Sequence, residues 1–352
     1  MSKARQLADL GNQVDDGAVT GSNIIVNGAM NVAQRGSSYQ FSNTNASAYG
    51  AADRWEGRPS QGTTITQSLQ SDAPAGFSKS LRYYCDSGGT ITQIIRHQQK
   101  LEGQDWQHLA YGTSDAKTVT LSFWVKSNVT ATYTISLYVY DANDIYTVTY
   151  TVDNANTWEY KTVTFAGNTS GNCNNDNTHG IELAWALGAS SSYKGSGVND
   201  AWQSYESTKY ATNITADIGA TTGNYWQITG VCLNVGDSAI DFPHQSYGDE
   251  LQRCMRYYER AGASTNTDYT FKMQGAVEGQ NITACQIGYL VEKRASPTVS
   301  LGTLQAYHVA LGGWTTSGMS VTSQGTRNLS VYKTSDTSPR LLRGAATVDA
   351  EL

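Results

Sequence analysis

No catalytic signature runs through this chain. It has no HExxH pair, no GxSxG elbow, no P-loop and no Gly-rich dinucleotide turn, which removes the common metalloprotease, serine-hydrolase and nucleotide-binding readings. The five histidines, His97, His108, His179, His244 and His308, stand apart without metal-ligand spacing. No metal and no cofactor is therefore expected. Five cysteines, Cys85, Cys173, Cys232, Cys254 and Cys285, are an odd number, scattered and without a CxxC. They read as small buried residues rather than as a disulfide framework. Basic charge is in deficit: Lys and Arg total 24 against 30 Asp and Glu, a net charge of −6. That argues against a nucleic-acid surface, which would be basic. No apolar run is long enough to cross a bilayer, and no signal peptide is apparent, so the expectation is synthesis in the cytoplasm, release by lysis or on a particle, and no membrane insertion. There is no internal repeat, no heptad and no low-complexity tract, which speaks against a parallel β-helix and against a coiled coil.

What is present is the composition of an all-β protein. Tyr (22) far outnumbers Phe (6), and Gly is abundant at 34. A length of 352 residues holds about two domains at ~150 residues each. Period-two alternation marks strand after strand. Val119, Leu121, Phe123 and Val125 share one face, as do Tyr133, Ile135, Leu137 and Val139. Tyr146, Val148, Tyr150 and Val152 follow, then Ile181, Leu183, Trp185 and Leu187. The run 158–167 carries aromatics on both faces, so it reads as covered on both sides. Asp- and Asn-rich breaks separate these runs. Short alternating strands with such breaks favour a jelly-roll β-sandwich. In 225–235, Val231, Leu233 and Val235 alternate with Gly230, Cys232 and Asn234, giving one buried face. Pro243 then stops the strand. Ser246 with Asp249 looks like a helix start, and Tyr247, Leu251, Cys254, Met255 and Tyr258 recur at helical spacing up to Gly262. A second β-region follows, with candidate strands beginning near residues 270, 281, 297, 306, 319, 328 and 345. The expected organisation is a leader at 1–22, a sandwich at 23–245, a connecting amphipathic helix at 246–262 and a smaller β domain at 263–352.

Several of these stretches resemble a jelly-roll module of tailed-bacteriophage tail fibres, marine phages included. "NIIVNGAMNVAQRG" matches its opening at Asn27, Gly28, Gln34, Arg35 and Gly36, and "ADRWEG" matches a second element. "ITGVCLNVGDSAIDFPHQSYGDELQRCMRYYER" matches its end at Gly230, Val231, Leu233, Gly236, Pro243, Ser246, Tyr247, Glu250, Leu251, Cys254, Arg256, Tyr257 and Tyr258. The resemblance covers about residues 23–260. It implies a non-enzymatic virion protein, a tail fibre or fibre-like appendage, built on a sandwich similar to carbohydrate-binding modules. It further implies a homotrimer, attachment to other virion proteins through residues 1–22, and contact with host-surface polysaccharide. The alternatives are a head fibre or capsid-decorating protein, a polysaccharide depolymerase, and a free carbohydrate-binding module.

Candidate ligand-binding residues are aromatic. The polar segment 188–211 is long for a sandwich loop. Its Trp202 and Tyr205, with Tyr193 and Tyr210, either stack on sugar rings or pin the loop to the body, and pinning is favoured. At 306–319, Trp314 beside two glycines is either a pinned loop or a presented platform, with Tyr307 and Tyr332 as lesser candidates. Trp55 is expected in the core. Asp53 and Arg54 read as a structural ion pair ordering the first loop. The pairs Asp141 with Asp144 and Glu102 with Asp105 are the nearest approach to glycosidase carboxylates, and 172–177 reads as a solvated turn rather than a calcium loop.

Overall fold

The computed structural model describes residues 23–195, 197–261, 271–274, 276–277, 282–302, 305–308, 313–316, 320–334 and 341–352. The leader expected at 1–22 lies outside them. The chain forms two compact units, one reaching to Tyr247 and including Leu352, the other Gly248–Glu351.

The first unit is a jelly-roll sandwich of two antiparallel sheets. Among the described residues, one sheet has six strands, in the order β1 (Ser38–Ser42), β4 (Thr64–Gln70), β5 (Ser80–Ser87), β13 (Tyr225–Val235), β7 (Val119–Ser127) and β10 (Glu159–Phe165). The other has seven: β12 (Trp202–Ser204), β9 (Asp144–Thr151), β8 (Thr132–Val139), β11 (His179–Ala189), β6 (Ile94–Glu102), β3 (Glu56–Arg58) and β2 (Ala48–Tyr49). The inward residues are those the alternation selects. Phe123, Leu137, Leu183, Trp185 and Trp55 are all fully buried in one continuous core.

Two strands depart from the expectation. β10 is an edge strand and is not covered on both sides: Tyr160 is exposed, as are Thr162 and Thr164, while Phe165 is buried. β13 is the reverse, buried on both faces nearly end to end. Of β13, strand β5 pairs only with Tyr225–Ile228. Beyond that point residues 23–28 take over. Ile24 N–H donates to the Leu233 carbonyl (3.0 Å), Val231 N–H to the Gly28 carbonyl (3.0 Å), and Asn23 Nδ2 to the Val231 carbonyl (2.7 Å). A Cβ on Gly28 would stand 2.1 Å from the Val231 oxygen, so the backbone approach requires glycine there. At the bulge in β13, Gly230 has φ +64° and packs against Phe77.

The motif residues near the start form a buried knot. Asn27 Nδ2 donates to the carbonyls of Val32 and Asp53 (both 2.9 Å), and Trp55 Nε1 donates to the Asn27 carbonyl (3.0 Å). Asp53 accepts from Gln34 N–H and Gln34 Nε2. Its cationic partner is Arg35, at 4.0 Å, rather than the neighbouring Arg54, which donates to the Lys100 carbonyl. Cys85, Cys173, Cys232 and Cys254 are buried thiols outside any disulfide.

In the second unit, helix α1 spans Tyr247–Met255. It is shorter than expected, because the β-favouring pair Tyr257-Tyr258 leads into strand β14 (Tyr258–Ala261), which pairs with Ala346–Asp349. Within α1 only Cys254 is fully buried, and Tyr247 is exposed. Ile287, Leu329, Val331 and Val348 make a small core of their own. The same unit holds a buried ion pair: Lys293 Nζ sits 2.6 Å from Glu259 Oε2 and also donates to the Val291 carbonyl at 2.9 Å.

Candidate functional site

The outward face of the seven-stranded sheet concentrates chemistry. Register places Glu182 of β11 opposite Tyr138 of β8 and Lys100 of β6, and Glu56 of β3 opposite Gln98 of β6. These are the residues that alternate with the core set, so they point away from it. Glu182 and Glu56 are nevertheless buried: the segment after β11 folds back over Glu182, and the Leu352 carbonyl accepts from Lys100 Nζ at 3.1 Å beside Glu56. Tyr210 from that segment is 2% exposed and donates a short hydrogen bond to Glu182 Oε1. Arg96 Nη1 reaches the same oxygen at 3.2 Å, and its guanidinium lies over the Tyr210 ring at 4.8 Å. Beside this, Glu56 Oε2 accepts from Lys100 Nζ (2.9 Å) and Gln98 Nε2 (2.6 Å). Polar atoms buried on this face without a hydrogen-bond partner include Arg58 Nε, Arg96 Nε, Gln98 Oε1, Ser136 Oγ and His179 Nε2.

Aromatic rings form the rim of this charged floor. Tyr138 and Tyr205 lie 4.7 Å apart, Tyr138 and Tyr140 5.9 Å, and Tyr140 stacks on His179 at 4.6 Å. Tyr138 Oη donates to Asn143 Oδ1 at 2.9 Å. Tyr140 is 55% exposed, so its outer face is open to solvent.

The electrostatics keep Glu182 charged and Tyr138 neutral. Burial pushes the Glu182 carboxyl upward, but Arg96, the Tyr210 hydrogen bond, His179 and Lys100 outweigh it and hold the carboxyl below its ordinary value. Burial lowers His179 to about 4, so its imidazole is neutral near pH 7. Burial raises Tyr138 to about 12. An ionised Glu182 accepts hydrogen bonds and is a poor proton donor, whereas glycoside hydrolysis needs one carboxyl held protonated.

The four aromatic candidates separate. Trp202 faces Tyr146, a core-side residue, across the β12–β9 pair. Its ring stands 5.3 Å from Tyr146 and 5.8 Å from Tyr111, and its Nε1 donates to the Ala166 carbonyl at 2.7 Å. It pins the loop. Tyr205 belongs to the rim. Tyr307 and Trp314 oppose each other across the pair formed by Gln305–His308 and Gly313–Thr316, and their side chains, like that of Tyr332, lie outside the described residues. Glu182, Arg96, Glu56, Lys100, Tyr138, Tyr140 and His179 escape sequence reasoning. Their one signal is that charged and tyrosine residues occupy the outward positions of strands whose inward residues are apolar. Asp141 accepts from Asn174 N–H (2.9 Å) and Asp144 from Asn168 Nδ2 (2.9 Å), so each serves a turn. Among the described residues no group of three or more His, Cys, Asp or Glu is placed to hold a metal.

No protein-family model matches this chain, and no curated protein is similar to it. Solved structures resemble it at low identity. The enzymatically active domain of tailspike protein 4 from bacteriophage CBA120 is 12% identical, with a TM-score of 0.33, over 60% of this chain and 21% of that one. The chain thus spans about a fifth of the tailspike chain. A family 4 carbohydrate-binding module is 12% identical (TM-score 0.31), over 60% of this chain and 98% of that one. The CBM22-1 xylan-binding domain of Paenibacillus barcinonensis Xyn10C is 10% identical (TM-score 0.30), over 62% and 98%.

Proposed function

We propose that this chain is a non-enzymatic glycan-binding subunit of a tailed-phage virion, a tail fibre or fibre-like appendage, that touches host-surface polysaccharide with the outward face of its seven-stranded sheet. The observation that carries glycan binding is the tyrosine rim on this face, where Tyr140, 55% exposed, stacks on His179 beside the Tyr138–Tyr205 pair. Ring faces offer apolar contact to the C–H face of a pyranose, and the tyrosine hydroxyls can bond to its hydroxyls. The virion reading rests on the fibre-like motifs at 23–36, 52–57 and 228–260, and on them rest the homotrimer and the docking of residues 1–22 into a neighbouring virion protein.

The test is binding to an array of bacterial surface polysaccharides. Tyr140→Ala should weaken retention about tenfold, roughly 1.4 kcal/mol, with an unchanged melting temperature, because the ring is more than half exposed. Retention equal to the parent protein on every glycan removes this face from the contact. Light scattering should give three times the chain mass, and a monomer at micromolar concentration would refute the trimer.

A further inference from the structure

The outward face of the six-stranded sheet is a second feature, on the opposite side of the sandwich. Its central row runs across neighbouring strands: Lys126 of β7 opposite Gln227 of β13, then Gln227 opposite Arg82 of β5 and Arg82 opposite Ser68 of β4. Aromatic residues flank the row on both sides. Tyr225 faces Tyr84 in the next row, and Trp124 faces Tyr160 on the other side, with rings 5.2 Å apart. Trp158 closes the end: its Nε1 donates to Asp72 Oδ1 at 3.3 Å and its ring lies 6.0 Å from Lys126 Nζ.

Carboxylates on this face are already engaged: Asp86, on the same side of β5, accepts from Thr66 Oγ1 at 2.6 Å. Lys126 is matched by Asp72 at 2.8 Å. Arg82 has no carboxylate in reach among the described residues; its guanidinium lies 5.2 Å over the Tyr84 ring, and its Nε is buried without a hydrogen-bond partner. Yet the chain as a whole is acidic, at −6. A cation held over an aromatic ring without a carboxylate partner is arranged to meet an anion. The face is poorly suited to a second copy of the chain, since protein interfaces deplete charge at their centre and here the centre is Lys126–Gln227–Arg82. Strands about 4.8 Å apart set the rows on a scale that a pyranose ring spans.

We propose that this face binds a carboxylated saccharide, a uronate unit of an extended acidic polysaccharide. The Arg82 fork takes the carboxylate, Lys126 lies along the same row for its hydroxyls, and Tyr84, Tyr225 and Trp124 contact ring faces, while Gln227, 3% exposed and donating to Ser80 Oγ at 3.2 Å, lies beneath them. This site is independent of the seven-stranded face, and its test separates the two. Calorimetry with tri-galacturonate and with its neutral methyl ester is run in the Tyr140→Ala background, so that the other face does not contribute. The acid should bind at least about tenfold tighter than the ester, and affinity should fall as salt rises. Arg82→Gln should abolish the preference for the acid, and Arg82→Lys should retain part of it, since a lysine keeps the charge and loses the fork. Should Arg82→Gln fail to fold, the acid-to-ester ratio and the Lys variant still decide. The proposal is overturned by absence of binding, by equal affinity for acid and ester, by an unchanged preference in Arg82→Gln, or by a fall in oligomer mass in that variant, which would make the face a contact between copies.

Discussion

His97 sits at the centre of the sandwich, and its imidazole makes stability depend on pH with a calculable size. The ring is fully buried, stacks on Trp55 at 4.4 Å, and has Trp185 and Trp226 each at 5.5 Å. A hydrogen-bond chain fixes its state. Gln67 Nε2 donates to Tyr83 Oη at 2.7 Å, so the Tyr83 hydroxyl donates to His97 Nδ1, 3.0 Å away. His97 Nε2 has no hydrogen-bond partner. Protonating the ring would bury a cation with no acceptor, and burial therefore lowers His97 to about 3 from the 6.5 of a free imidazole. With the folded value depressed, the unfolded chain binds more protons below pH 6.5, so stability is intact above that pH and is lost as pH falls toward 3. At pH 4.5 the unfolded state lies two units below its own midpoint, which costs about 2.7 kcal/mol at ~1.36 kcal/mol per unit. The assay is chemical denaturation at pH 7 and pH 4.5 on the parent protein and on His97→Gln. His179, lowered to about 4, contributes to both proteins and cancels in the comparison. The parent should lose about 2–3 kcal/mol more than the variant over that range. Equal losses would refute the argument, as would an imidazole ¹⁵N spectrum showing His97 protonated at pH 5.

Other outcomes follow from single contacts. Lys293→Met strands the buried Glu259 carboxylate and should cost about 3–5 kcal/mol, whereas Lys293→Met with Glu259→Leu should recover most of that loss; denaturation curves of the single and double variants decide, and an additive double variant rules the pair out. Gly230→Ala forces a Cβ to 2.6 Å from the Phe77 ring at φ +64°, and should lower stability by about 1–3 kcal/mol; a melting temperature equal to the parent's would mean that the bulge relaxes freely.

The alternation of apolar residues made the strands legible, because a sheet with one face on a core must repeat every two residues. Val119–Val125, Tyr133–Val139 and Ile181–Leu187 all lie where that pattern puts them. Where a strand has two covers the pattern carries less. β13 looks one-sided because Gly230, Cys232 and Asn234 are not large apolar residues, yet residues 23–28 lie along it more than 200 positions away. β10 misleads in the opposite sense: Tyr160 and Trp124 pack on each other in the open, so aromatics on both faces do not mean two covers. The polar face was illegible for a related reason. Arg96, Glu182 and Tyr210 meet only through strand register and a returning loop, and each alone reads as an ordinary outward residue. Trp202 was half legible, since a long polar loop needs a pin, but only its register opposite Tyr146 says which way it turns.

The place of β13 has a consequence for biosynthesis. It lies in the middle of its sheet, between β5 and β7, and is the last strand of the sandwich to leave the ribosome. Until about residue 235 has emerged, β1-β4-β5 and β7-β10 are separate fragments with open inner edges, and residues 23–28 lack their bonds to Val231 and Leu233. Contacts of such long sequence separation form slowly, and unpaired edges invite pairing with other chains. Ribosome-bound intermediates arrested before this point should therefore be the ones that chaperones hold, and release of the nascent chain from them should coincide with insertion of one strand.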